Sequence, residues 1–123
     1  MYSISIKTEF NAAHKLRAYH GKCESLHGHN WMVELGVEST TLNKTGMVMD
    51  FSVLKKALNE FLEYVDHKYL NELKYFKKVN PTSENIAKYI YDGMKGFCLK
   101  HKIDIKRVTV WETPSSGATY MES

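Results

Sequence analysis

The sequence lacks any apolar run approaching the ~20 residues that a membrane-spanning helix requires. It also lacks a basic block, because 17 Lys and Arg against 14 Asp and Glu give a net charge of only +3, and the cations are scattered. A nucleic-acid-binding protein would show a basic stripe with interleaved aromatic residues, so that class is disfavoured. The weak positive charge is compatible with a small anionic substrate.

Cysteine is scarce, with only Cys23 and Cys98 in the chain. The first seven residues alternate apolar and polar side chains and carry no signal-peptide pattern, so we expect a cytoplasmic location and no membrane partner. In a reducing cytosol the two cysteines are best interpreted as separate thiols. A length of 123 residues fits a single domain, residues 1–123, with an ordinary hydrophobic core.

Strand-like alternation of apolar and polar residues occurs in four segments. Residues 2–10 and 31–38 have a period of two, which is the pattern of half-buried strands. Residues 107–112 alternate again, and a Pro-Ser-Ser-Gly turn separates them from a short last strand at 118–121. We therefore expect four strands.

Two helices are expected between the second and third strands. The apolar positions from 53 to 65 have helical spacing, with Ser52 as the predicted N-cap. A second helix is predicted to begin with Pro81 in its first turn and to end near His101. The order predicts an α+β fold, with a four-stranded antiparallel sheet and both helices on one face. Two exposed sheet edges make oligomerisation an expectation.

Three histidines form a candidate metal site. His27 and His29 lie two residues apart at the start of the second strand, so their imidazoles point to the same side. His14 supplies a third nitrogen if the first two strands pair as a hairpin, and three histidines with an open fourth position are typical of catalytic zinc. Two alternatives stay open: unrelated histidines, or a closed structural zinc site with Cys23 as the fourth ligand.

Five motifs in order give the chain a resemblance to the 6-pyruvoyltetrahydropterin synthase and 6-carboxytetrahydropterin synthase family. Each is weak alone, but together they cover residues 10–113. The matching segments are Phe10-Asn11-Ala12-Ala13-His14-Lys15-Leu16, Cys23 with His27-Gly28-His29-Asn30, Asp66-His67-Lys68-Tyr69-Leu70-Asn71, Pro81-Thr82-Ser83-Glu84-Asn85 and Val110-Trp111-Glu112-Thr113.

The resemblance implies a tunnelling fold, in which three subunits form a barrel and two barrels stack into a homohexamer. Active sites would lie at subunit boundaries. The implied substrate is 7,8-dihydroneopterin triphosphate, whose hydroxyl-bearing side chain is held by Zn²⁺. By the match, His14, His27 and His29 are the zinc ligands.

The resemblance also assigns proton transfers to three residues. Cys23 matches the family's base, and a thiol near a cation or metal ionises more readily. Asp66 and His67 match its acid/base partners. We expect His67 at the end of the first helix, whose negative dipole end favours a cationic ring. Adjacent helical residues do not face each other, so an Asp66 carboxylate can orient His67 only if the chain leaves the helix there.

By the same match, Glu112, at the end of the third strand, takes the position of the family's pterin anchor. Its carboxylate can accept two N–H bonds from the ring amide and amino group of a pterin, which would fix the ring's orientation. Thr82 and Ser83 match residues near the pterin in the family. Helix capping explains both residues equally well.

Glu24 separates this chain from relatives that carry only the cysteine or only the glutamate before the histidine motif. The glutamate type resembles enzymes that cleave the substrate side chain to 6-hydroxymethyl-7,8-dihydropterin for folate. The short Cys-to-His spacing resembles the bacterial 6-carboxytetrahydropterin synthases of the queuosine pathway, which is the favoured function. The remaining alternatives are 6-pyruvoyltetrahydropterin formation and a zinc-stabilised binding module without activity.

Overall fold

The computed structural model describes residues 1–17 and 26–122, and these form one α+β layer pair. Strand β1 (Tyr2–His14) is followed by β2 (His27–Ser39), helix α1 (Phe51–Leu62) and the very short β3 (Lys68–Tyr69). Two 3₁₀ turns then lead to helix α2 (Ser83–Lys100), β4 (Asp104–Thr113) and β5 (Ser116–Tyr120). The predicted α+β class is therefore correct.

Within the described ranges the sheet has five strands in the order β3-β1-β2-β4-β5. The long neighbours are antiparallel, as predicted, whereas β3 pairs with β1 in parallel through Ala12 and Ala13. The predicted count of four strands was one too low. Two residues are too few to show a period of two, so β3 leaves no pattern in the sequence.

Both helices cover the same face of the sheet. Alternate strand residues such as Phe10, Trp31 and Val110 are buried there against Leu58 of α1 and Ile90 of α2. Each fully buried side chain of this size contributes about 1.5–3 kcal/mol relative to exposure. The core therefore fixes which residues of β1, β2 and β4 point towards the helices.

The helix starts differ slightly from the prediction. Asp50, not Ser52, caps α1, because the Asp50 carboxylate accepts hydrogen bonds from the backbone N–H and the hydroxyl of Ser52. Thr82 caps α2, so Pro81 lies before the cap instead of in the first turn. The predicted end near His101 is correct. Neither helix, nor any other in the described part of the chain, is long and apolar enough to cross a membrane.

Candidate metal centre and the groove beside it

The three predicted histidine ligands lie together where β1 ends and β2 begins. His14 pairs with His27 in the antiparallel ladder, and His29 pairs with Ala12, so all three side chains point to the helix-covered face. The Nε2 atoms of His14 and His27 are 3.0 Å apart. The ring centroids of His29 lie 5.3 Å from those of His14 and 4.6 Å from those of His27. The hairpin on which the third ligand depended is therefore present.

Glu112 reaches into the same cluster from β4. Its Oε1 atom lies 2.8 Å from Nε2 of His29, 3.2 Å from that of His14 and 3.7 Å from that of His27. One nitrogen from each ring and one carboxylate oxygen all lie within 4.8 Å of one another. The family resemblance predicted that Glu112 binds the pterin and predicted no contact with the metal, although the alternation of β4 already placed Glu112 on the helix-facing side.

The donor atoms of this cluster fit a divalent metal ion. Imidazole nitrogens with at most one carboxylate oxygen are a common donor set for Zn²⁺. The same set also suits other first-row metals, so the residues indicate a metal without selecting the ion. The side chain of His14 is only 2% exposed, which makes it the most deeply placed of the four donors.

Neighbouring groups fix the orientation of the His14 ring. Its Nδ1 lies 2.8 Å from the carbonyl oxygen of Pro81, just before α2. Because a carbonyl can only accept, Nδ1 carries the proton, and the lone pair of Nε2 points towards the cluster. The Trp31 indole stands edge-on to the His14 ring at 4.9 Å between centroids, and its N–H donates to the carbonyl of Ala12.

Asp66 and His67 lie in the turn that follows α1. Helix α1 ends at Leu62, and His67 adopts a positive φ of 58°, so the chain has left the helix as the pairing requires. One Asp66 oxygen accepts the backbone N–H of Asn11 at 2.9 Å, and the other lies 3.1 Å from Nδ1 of His67. The expectation that His67 sits at the helix end was wrong, and a dipole effect is weak beyond the last turn.

An open groove of about 620 Å³ is lined by His67 of this pair and by His29 of the histidine cluster. The His67 side chain is 76% exposed and therefore available to a molecule bound there. Residues of β1, β2 and β3 all contribute to its lining. The lining includes His29 from the cluster together with Asn11, Asn30, His67 and Lys68.

The remaining predicted site residues have different outcomes. Cys23 and Glu24 lie outside the described residues. Thr82 caps α2, with its hydroxyl accepting the N–H of Asn85 at 3.1 Å, and Ser83 is the first helical residue. The contact between Pro81 and His14 places this helix start beside the metal cluster. The capping explanation of Thr82 is therefore satisfied, while its proposed contact with pterin stays a prediction.

Comparison with known proteins agrees with this geometry. A curated 6-carboxy-5,6,7,8-tetrahydropterin synthase from Synechocystis is 39% identical over 98% of this chain and 93% of its own length. A dihydroneopterin monophosphate aldolase from Pyrococcus furiosus is 36% identical over 93% of this chain and 92% of its own. The solved 6-pyruvoyl tetrahydropterin synthase of Caenorhabditis elegans superimposes with a TM-score of 0.84 at 28% identity, covering 99% and 96% of the two chains.

The family model described as 6-pyruvoyl tetrahydropterin synthase matches residues 3–123, almost the entire chain. The match includes all four residues of the metal cluster and the Asp66–His67 pair. The chain therefore belongs to the 6-pyruvoyl tetrahydropterin synthase family.

Proposed function

We propose that this protein is a zinc-dependent 6-carboxy-5,6,7,8-tetrahydropterin synthase of the queuosine and deazapurine pathway. It would convert 7,8-dihydroneopterin triphosphate, with uptake of water, into 6-carboxytetrahydropterin, acetaldehyde and triphosphate. The observation that carries the proposal is the cluster of His14, His27, His29 and Glu112, with His29 and His67 lining one groove beside it. The 39% identity with the Synechocystis synthase supports this product.

His14, His27 and His29 would hold the zinc ion. When bound, zinc polarises the substrate side chain and lowers the cost of removing a neighbouring proton. The Nδ1–H bond from His14 to Pro81 keeps the Nε2 lone pair available, and the alternating strand geometry directs the other two rings to the same point. All three donors stand on β1 and β2, so the hairpin ladder fixes their separation.

His67 would move a proton at the rim of the groove. Its ring is exposed to a bound molecule, and Asp66, itself held by the Asn11 N–H, orients the ring through Nδ1. The outward nitrogen, Nε2, is then the atom that donates or accepts the proton. Cys23 is the proposed base for the opposite transfer.

Glu112 would bind the pterin ring through two N–H bonds from its amide and amino groups. Its position next to the histidine nitrogens brings the ring close to the metal cluster. Glutamine has nearly the same shape as glutamate, but its NH₂ group would face the N–H donors of the pterin. Because hydrogen bonds to charged groups contribute about 1.5–3 kcal/mol each, we expect kcat/KM to fall about 100-fold or more.

The same variant separates the two roles that Glu112 can have. Three histidines suffice to retain zinc, so Glu112→Gln should keep its metal while losing turnover. Loss of metal with the loss of turnover would instead make Glu112 a zinc ligand. Glu34→Gln is the matched control, because Glu34 pairs with Arg107 at 3.2 Å on the other face of the sheet.

Side-chain cleavage to 6-hydroxymethyl-7,8-dihydropterin is the first alternative. It is favoured by Glu24 and by the 36% identity with the Pyrococcus aldolase. Formation of 6-pyruvoyltetrahydropterin is the second, favoured by the C. elegans enzyme. Incubating the zinc-loaded protein with 7,8-dihydroneopterin triphosphate and identifying the products by mass separates all three. Acetaldehyde with a carboxypterin supports our proposal, whereas hydroxymethylpterin or pyruvoylpterin refutes it.

A zinc-stabilised binding module is the non-enzymatic alternative, with a closed site containing Cys23. In that case Cys23→Ala would lose the metal. If Cys23 is the base, Cys23→Ala should retain zinc and lose turnover. Comparing Cys23→Ala with Glu24→Gln also identifies which of the two residues is the working base.

We further propose that a single domain, residues 1–123, assembles into a cytoplasmic homohexamer of two stacked trimers. In the described part of the chain, β3 covers β1 only at Ala12 and Ala13, so the outer edge of β1 from Tyr2 to Glu9 has no neighbouring strand. Strand β5 forms the other edge. Pairing these edges between copies would remove both. Sedimentation of a species with six times the 14.2 kDa chain mass would support this assembly, and a monomer would refute it.

A further inference from the structure

Two asparagine side chains hold the chain immediately after β1. The Lys15 N–H donates to Oδ1 of Asn71 at 2.9 Å, and the Lys15 carbonyl accepts from Nδ2 of the same side chain at 2.8 Å. Asn80 bonds Arg17 in the same way, at 2.9 Å for both contacts. Each amide therefore satisfies both backbone groups of one residue, as a neighbouring strand would. We call Asn71 and Asn80 the asparagine clamp.

The clamp joins three separate parts of the chain. Asn71 lies in a 3₁₀ turn and is only 8% exposed. Its backbone carbonyl accepts from the Arg17 guanidinium at 3.2 Å, while the carbonyl of Asn80 accepts from Nδ2 of Asn85 in α2 at 2.9 Å. These hydrogen bonds therefore connect the end of β1, the turn and the start of α2. They are additional to the backbone hydrogen bonds of the helices and the sheet.

The clamp flanks the contact between His14 and Pro81. Each of these two residues is the sequence neighbour of a residue in the clamp's hydrogen bonds. His14, whose ring Nδ1 donates to the Pro81 carbonyl at 2.8 Å, directly precedes clamped Lys15. Pro81, which supplies that carbonyl, directly follows Asn80. A shift of Asn80 away from Arg17 would therefore move the acceptor of His14.

We propose that Asn71 and Asn80 are positioning residues of the metal centre, acting through the His14–Pro81 contact. By holding residue 80 against the chain beyond β1, the clamp keeps the Pro81 carbonyl at Nδ1 of His14. This fixes the ring tautomer and directs Nε2 to the other donors. The inference rests on the proposed metal centre but assigns residues to which the proposed function gives no role.

The first test measures Zn²⁺ affinity by chelator competition on protein stripped of metal. Asn80→Ala removes both contacts with Arg17, and we expect the Kd for Zn²⁺ to rise about 10- to 100-fold, the usual effect of losing a partner of a ligating histidine. Asn80→Asp keeps the acceptor for the Arg17 N–H but sets a carboxylate oxygen against the Arg17 carbonyl, so its Kd should also rise. Circular dichroism of each metal-free variant establishes that it is folded. Asn71→Asp gives the corresponding measurement if Asn80→Ala does not fold.

A double-mutant cycle shows whether the effect passes through His14. In a His14→Ala background, Asn80→Ala should cause no further change in the Kd for Zn²⁺. In a His27→Ala background its full effect should persist, because His27 has no part in the Pro81 contact. A role in stability alone would weaken metal binding equally in both backgrounds.

Asn43→Ala is the matched control variant. Asn43 also makes several local hydrogen bonds, including contacts with Met47 N–H at 3.0 Å and Thr45 hydroxyl at 2.7 Å, but in the loop between β2 and α1. It should lower the Tm and leave the Kd for Zn²⁺ unchanged.

Two results would overturn the inference. One is a Kd for Zn²⁺ within about twofold of wild type in every folded clamp variant, and the other is an equal rise in both histidine backgrounds. If wild-type protein binds Zn²⁺ and produces carboxypterin in either case, the proposed function stands and only the clamp's role fails. Wild-type protein that binds no Zn²⁺ would remove the metal centre itself, and with it the clamp's role.

Discussion

Trp31→Phe tests how strongly the core supports the metal cluster. The Trp31 ring is fully buried and stacks on Phe10 at 6.1 Å between centroids. The rings of His14 and His29 also lie beside it, at 4.9 and 5.4 Å between centroids, and both are nearly perpendicular to it. The indole N–H donates to the Ala12 carbonyl at 3.2 Å. A phenyl ring would keep the stack on Phe10 but would lose this hydrogen bond and leave part of the space empty.

The size of the effect follows from these two losses. A buried hydrogen bond contributes about 1 kcal/mol, and leaving part of a filled core site empty costs about 1–2 kcal/mol more. We therefore expect Trp31→Phe to lower the free energy of unfolding by about 2–3 kcal/mol. Because His14 and His29 lose a wall of their site, the Kd for Zn²⁺ should rise by up to about tenfold.

Urea denaturation of metal-free protein at one fixed concentration measures the first effect, since assembly makes stability concentration-dependent. Trp111→Phe is the matched control, because Trp111 is only partly buried and lies on the opposite face of the sheet. Trp111→Phe should lower the free energy of unfolding less than Trp31→Phe does, and it should leave the Kd for Zn²⁺ unchanged. A change below about 0.5 kcal/mol in Trp31→Phe, with an unchanged Kd for Zn²⁺, would refute the reasoning.

Two further predictions concern α2. Thr82→Ala should lower the free energy of unfolding by about 1 kcal/mol, because the cap to the Asn85 N–H is lost, and Thr82→Ser should restore it. A normal kcat/KM in folded Thr82→Ala would contradict a contact between Thr82 and the pterin. Burial, with a smaller effect of Asp104, raises the pKa of the Cys98 thiol from 9.0 to about 11. The thiol therefore ionises at a lower pH in the unfolded chain than in the folded protein. The free energy of unfolding, which has its full value below pH 9, should then fall by about 2 kcal/mol as the pH rises towards 11. Urea unfolding against pH should show a shallower decline in Cys98→Ala, and equal slopes would refute this.

Local residue order was enough to predict most of the elements. Alternation in residues 2–10 and 31–38 marked two strands, and their true extent, to His14 and from His27, became clear only from their pairing. Near those ends the helix-facing positions carry His14, His27 and His29, which interrupt the apolar pattern while the backbone ladder continues. The N-cap of α1 was predicted at Ser52 instead of Asp50 because both residue types are preferred at N-caps.

The sequence by itself determined the two helices, the long strands and the common direction of His27 and His29, because period and spacing are encoded by neighbouring residues. Tertiary structure alone decided that Glu112 meets the histidine nitrogens, that Pro81 orients His14, and that Asn71 and Asn80 hold the chain beyond β1. These contacts join residues more than 50 positions apart. They depend on strand register and on where the turns place each segment, and neither quantity is contained in local periodicity.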